Sequence, residues 1–109
     1  KQQALDDYNR VIALNPGYGF VYNNRGAVYL DWGRHEEALR DFNKSTELEP
    51  KYPRPFLGRG LLFEKLHNLP AARANYQLSC ALGLRDGCDM LRRMNDSSVS
   101  ALHVPPQAP

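Results

Sequence analysis

The sequence predicts an all-α fold, a solenoid of antiparallel helix pairs closed by a C-terminal capping helix. Three observations carry that expectation. Between residues 19 and 52 the apolar side chains fall at helical spacing, first Val21, Tyr22, Val28 and Tyr29, then Leu39, Phe42 and Leu48. Gly33 interrupts the pattern in the middle and Pro50 ends it, which reads as helix, tight turn, helix. The whole stretch then recurs every 34 residues. Tyr22 falls over Phe56, Gly26 over Gly60, Tyr29 over Phe63, Ala38 over both Ala4 and Ala72, Phe42 over Tyr8 and Tyr76, Leu48 over Leu14 and Leu82, and Pro50 over Pro16.

Element by element, residues 1–18 read as the second helix of a repeat whose first helix lies before Lys1. Its apolar stripe is Leu5, Tyr8, Val11 and Ile12, and it stops at Asn15-Pro16-Gly17. Without an initiator Met the chain is expected to be a piece of a longer protein. Part of that stripe should lie uncovered, inviting a homo-oligomer through this helix. Residues 19–52 form a full repeat in which Gly26 and Ala38 are small because two antiparallel helices cross there. Residues 53–84 form the next. In it His67-Asn68 replaces the turn glycine, with Asn expected to take the left-handed conformation, and Pro70 opens the following helix harmlessly. Leu84 stands where the closing Pro should be, so residues 85–94 are expected to add one capping helix with Met90, Leu91 and Met94 on its apolar side. Residues 95–109 lack periodicity and are expected to be a disordered tail, with one short candidate binding motif around Leu102-His103-Val104.

Composition narrows the function classes. With 42% hydrophobic and 24% charged residues the chain has the make-up of a packed protein and not a disordered one. No apolar run approaches the roughly 18–20 residues needed to span a bilayer. A net charge of +2 argues against nucleic acid as partner. No Ser or Cys has a His at a spacing that signals a nucleophile with its base. The acidic pairs Asp6-Asp7 and Glu36-Glu37 suit helix N-termini, and the three His are scattered. The expectation is therefore no enzyme, no metal and no cofactor.

The 34-residue period with these residue types resembles the tetratricopeptide repeat. That resemblance implies a right-handed superhelix whose first helices line a concave groove for a peptide or a partner helix. Carried onto this sequence, the groove face comprises Phe20, Asn23, Asn24, Ala27, Leu30 and Asp31, then Arg54, Leu57, Gly58, Leu61 and Lys65. Asn24 matches the asparagine that reaches a peptide backbone in peptide-binding members. Arg54 matches one basic residue of the clamp that holds a terminal carboxylate, and Gly58 stands where the second should be. Arg25 and Arg59, each just before a crossing glycine, are expected to lay their stems along the helix pair with their charge at the rim.

Cys80 and Cys88 form a C-x7-C pair around a turn. The run from 74 to 91 resembles the helical cysteine-rich repeat proteins of bacteria, in which paired Cys at this spacing bridge adjacent helices. That likeness implies a disulfide, an oxidising compartment such as the periplasm, and an envelope protein binding cell-wall material. Two small buried hydrophobes are the other reading of the same pair. The function expected overall is a protein-interaction scaffold.

Overall fold

The computed structural model of the chain describes residues 1–102, with side chains through Asp96. Six helices follow one another: α1 (Gln2–Leu14), α2 (Gly19–Asp31), α3 (His35–Leu48), α4 (Arg54–Lys65), α5 (Leu69–Ala81) and α6 (Arg85–Leu102). No strand occurs among the described residues. α2 pairs with α3 and α4 with α5, α3 also packs on α4, and α6 closes against α5. The helices α2 and α4 touch each other directly, whereas α1, α3 and α5 have no comparable mutual contact. The first helices of the pairs therefore line the inner, concave side.

The turns show how the chain reverses. Gly33 takes φ +76°, and the Arg34 N–H donates to the Tyr29 carbonyl at 2.8 Å, closing the end of α2. One repeat later His67 takes the left-handed conformation, at φ 60°, and the Asn68 N–H donates to Phe63 O at 2.8 Å. Asn68, the residue expected in that conformation, does not adopt it. Instead Asn68 opens α5, its Oδ1 accepting from the Ala71 N–H at 3.2 Å, because an Asn one position later is worth more as an N-cap. The α5–α6 connection repeats this geometry, with Gly83 at φ +97° and the Leu84 N–H on Ser79 O at 3.0 Å. Gly83 thus breaks the chain where the closing proline is missing.

Packing turns on two rings. Phe42 is 1% exposed and lies against Gly26 of its own repeat and Gly58 of the next. Tyr76, fully buried, occupies the equivalent slot against Gly60 and gathers Ala72 and Met94 around it. Leu57, Leu61, Phe63, Met90 and Leu91 pack on that cluster. Ser45 and Ser79 are completely buried in the small-residue slot of α3 and α5. The Ser45 hydroxyl has no hydrogen-bond partner among the described residues, so size alone accounts for its place. At the other end Leu5 is buried while Val11 and Leu14 lie exposed.

α6 runs eight residues beyond Met94, the bound the sequence suggested, so residues 95–102 continue the helix. They are rich in Asn, Asp and Ser but contain no Pro or Gly to stop it. The rest of the expected tail, and most of the Leu102-His103-Val104 motif, lies outside the described residues.

A methyl group at Gly58 would overlap the Phe42 ring. Gly58→Ala should therefore cost about 1–3 kcal/mol by overpacking, whereas Gly33→Ala, with open space around it, should cost roughly 1 kcal/mol from backbone strain alone. Urea unfolding of the two variants checks both the sizes and their order.

Candidate functional site

On α4 the expected groove residues sit at i, i+3, i+4, i+7 and i+11, which is one helix face. Arg54 and Lys65 are exposed at its two ends, roughly 16 Å apart along the axis, and Leu57 and Leu61 are half-buried between them. On α2 the residues Phe20, Asn24, Ala27 and Asp31 are exposed in a row, with Leu30 half-buried at its edge. Asn23 is not: only 8% of it is exposed, and its amide donates to Asn24 Oδ1 at 3.4 Å. Its helical phase turns it inward, so it orients Asn24 and offers nothing to a partner. Gly58 is buried under Phe42 and has no room for a side chain, so α4 carries one basic residue of the clamp pair and not two.

Concavities lie at both ends of this face. One, of about 460 Å³, is bounded by Phe20, Glu49, Pro50, Lys51, Tyr52 and Pro53. There the Phe20 ring meets Tyr18 edge-on at 5.5 Å and Tyr52 at 4.7 Å. The other, of about 280 Å³, lies between α4 and α6 and is lined by Leu61, Glu64, Lys65, Met90 and Arg93. Asp31 pairs with Lys1, which with a smaller pull from Lys65 lowers its pKa below the usual carboxylate value. Glu64 is tied up: it accepts from the buried Tyr76 hydroxyl at 2.6 Å and from Arg93 Nη2 at 2.9 and 3.0 Å. One carboxylate thus joins α4, α5 and α6, and the Lys65 side chain beside it is exposed.

Arg25 and Arg59 are not loose at a rim. Arg25 Nε and Nη2 each donate to Asp41 at 2.8 Å and its Nη1 to Asn9 Oδ1 at 2.9 Å, tying α2 to α1 and α3. Arg59 Nε donates to Asn75 Oδ1 at 3.0 Å and its Nη1 to Asn43 Oδ1 at 2.9 Å, tying α4 to α3 and α5. This ladder runs along the outer side, away from the groove. Its signal was in the sequence: an Arg flanked at 16 residues on either side by Asn or Asp, twice, one period apart.

Near the C-terminus, Gly87 lets α6 approach the backbone of Cys80, where any side chain would collide with Ser79. The Cα atoms of Cys80 and Cys88 come to 4.6 Å, within the range that a disulfide spans. Among the described residues no group of three His, Cys, Asp or Glu could hold a metal ion, and no helix is long and apolar enough to cross a membrane.

Two outcomes follow from these pairings. Arg25→Met strands the Asp41 carboxylate, whose side chain is 7% exposed, and should cost about 3 kcal/mol in urea unfolding. Burial, then the hydrogen bond to Glu64, pushes the Tyr76 hydroxyl well above its ordinary value of 10.0. The fold therefore favours the neutral phenol. That contribution is whole below the ordinary value and is lost as pH rises through and beyond it. Between about pH 9 and about pH 11 the melting temperature of the native chain should fall more steeply than that of Tyr76→Phe.

Comparison with known proteins matches this architecture. Residues 20–52 fit the family model of the tetratricopeptide repeat. The heat shock protein sti1 homolog of Schizosaccharomyces pombe is 32% identical over 74 residues, covering 68% of this chain and 12% of that protein. The chain thus spans about an eighth of that relative's length. The Arabidopsis OM64 TPR domain superposes with TM-score 0.78 at 24% identity, over 87% of this chain and 80% of that one. The first TPR of Spaghetti (RPAP3), solved bound to the HSP90 peptide SRMEEVD, gives 0.75 at 21% identity over 86% and 76%. A 34-residue helix-pair period, a matching family model and superposable neighbours together make this chain a tetratricopeptide-repeat solenoid.

Proposed function

We propose that the concave face of α2, α4 and α6 binds a segment of a partner protein, making the chain a non-enzymatic interaction scaffold. The observation that carries this reading is the unbroken row of partner-accessible residues: Phe20, Asn24, Ala27 and Asp31 on α2, with Arg54, Leu57, Leu61 and Lys65 on α4. Concavities at its two ends offer apolar seats beside it. Lys65 and Arg54 stand far enough apart for an extended segment of about five residues. The Asn24 amide can donate to and accept from a peptide backbone at once. Arg54 acts as a single cation, so it contributes charge without the two-pronged hold of a clamp. The peptide-bound neighbour with the same fold supports the mode of binding.

The SRMEEVD peptide, labelled and titrated by fluorescence anisotropy, is the first probe. Lys65→Glu should weaken its binding about tenfold, equivalent to ~1.4 kcal/mol, while Arg40→Glu on the outer helix leaves it unchanged. Equal effects at both positions would refute the groove.

We also propose that the Cys80–Cys88 bridge forms in the protein's working compartment and holds α6 on α5. A thiol count on denatured protein purified without reductant should give zero. Reduction should then lower stability by about 2.5 kcal/mol, the loop-closure value for so short a ring. Two free thiols in the unreduced protein would remove the bridge and the oxidising compartment with it.

A further inference from the structure

Arg25 and Arg59 stand in the same register one repeat apart, and the differences between them point to a site. At Arg25 the fork of Nε and Nη2 is filled by both oxygens of Asp41, each at 2.8 Å. At Arg59 the residue in Asp41's place is Asn75. Its single oxygen accepts from Nε at 3.0 Å, and its amide nitrogen turns away to donate to the Ala71 carbonyl at 2.9 Å. Nη2 of Arg59 has no partner among the described residues. The guanidinium is nevertheless held still: Asn43 takes Nη1 at 2.9 Å, and the Phe56 ring lies beneath it, 4.9 Å from its carbon to the ring centroid. It is half-buried, so solvent reaches it.

The electrostatics differ in the same sense. The Asp41 hydrogen bonds raise the Arg25 pKa, while burial with no carboxylate to offset it lowers that of Arg59. A half-buried charge without a counter-ion is costly to keep, and an oxyanion that supplies the missing acceptor would recover that cost. The protein itself shows, one repeat earlier, what a carboxylate does in this place.

We propose that Arg59, held by Asn43, Asn75 and Phe56 on the outer side of the solenoid, is the anchor of an oxyanion-binding site. Its ligand is a carboxylate or phosphoryl group, taken by the open Nη2 arm of the fork. The site lies on the opposite side from the peptide groove and does not depend on it. Its chemistry can come from an acidic side chain of a partner or from a free phosphate, and both are tested below.

The experiment follows the Arg Nε–H signals of ¹⁵N-labelled chain by NMR during titration with inorganic phosphate and, separately, with acetate. The Arg59 signal should move saturably while that of Arg25, its fork already filled, stays in place. Saturation by phosphate alone assigns a phosphoryl ligand, and saturation by acetate assigns a carboxylate. Asn75→Asp, which rebuilds the Arg25–Asp41 arrangement within the chain, should weaken the response at least tenfold, or ~1.4 kcal/mol. Linear movement without saturation overturns the proposal, as does equal movement of Arg25 or an undiminished response in Asn75→Asp. The native titration, with Arg25 as internal reference, decides the matter even if the variant does not fold.

Discussion

The stack depends on one aromatic ring set between two glycines. Phe42, projecting from α3, meets Gly26 on α2 and Gly58 on α4, so the same side chain closes its own helix pair and seats the next pair on it. A ring needs flat space on both sides, and only a residue without Cβ provides it where helices run this close. The spacing between α2, α3 and α4 follows from that fit. Since α2 and α4 meet on the inner side and α3 is kept outside them, the groove exists because Phe42 holds α3 where it is. Tyr76 repeats the arrangement with Gly60 but adds a hydroxyl. Through Glu64 that hydroxyl reaches Arg93, so the last repeat is locked to α6 by a polar contact that the earlier one lacks.

The polar ladder on the outer side works with this packing. Apolar contact between helices is tolerant of sliding, whereas an arginine with directed donors is not. Arg25 and Arg59 each reach one residue of the preceding second helix and one of their own, which fixes how far each repeat turns relative to the last. The two rungs differ in charge balance. Asp41 neutralises the first, and Asn75 leaves the second open.

The split between inner and outer faces sets what each can do. The inner face presents amide, charged and apolar side chains in a line. The outer face carries Arg25, paired with Asp41, and Arg59, held by Asn43 and Asn75. The C-terminal end owes its closure to Gly83 and Gly87. The first lets the chain reverse in a short turn, the second lets α6 approach α5 until Cys80 and Cys88 meet.

The repeat period, the helix pairs and the small residues at the crossings were all legible in the sequence, because periodicity and glycine placement are local signals that every repeat restates. That Arg54, Leu57, Leu61 and Lys65 share one face of α4 follows from their i, i+3, i+7 and i+11 spacing, while the expectation that this face is a groove came from the family resemblance. What the sequence could not decide is which way a given residue turns once neighbours press on it. Asn23 lies beside Asn24 yet is buried, His67 and not Asn68 takes the left-handed turn, and α6 continues past Met94. Nor could spacing alone show that Gly58 has no room for a side chain, or that Arg59 lacks the carboxylate Arg25 has. Those facts depend on residues 16 or more positions away brought within a few ångströms, and only the tertiary structure determines that proximity.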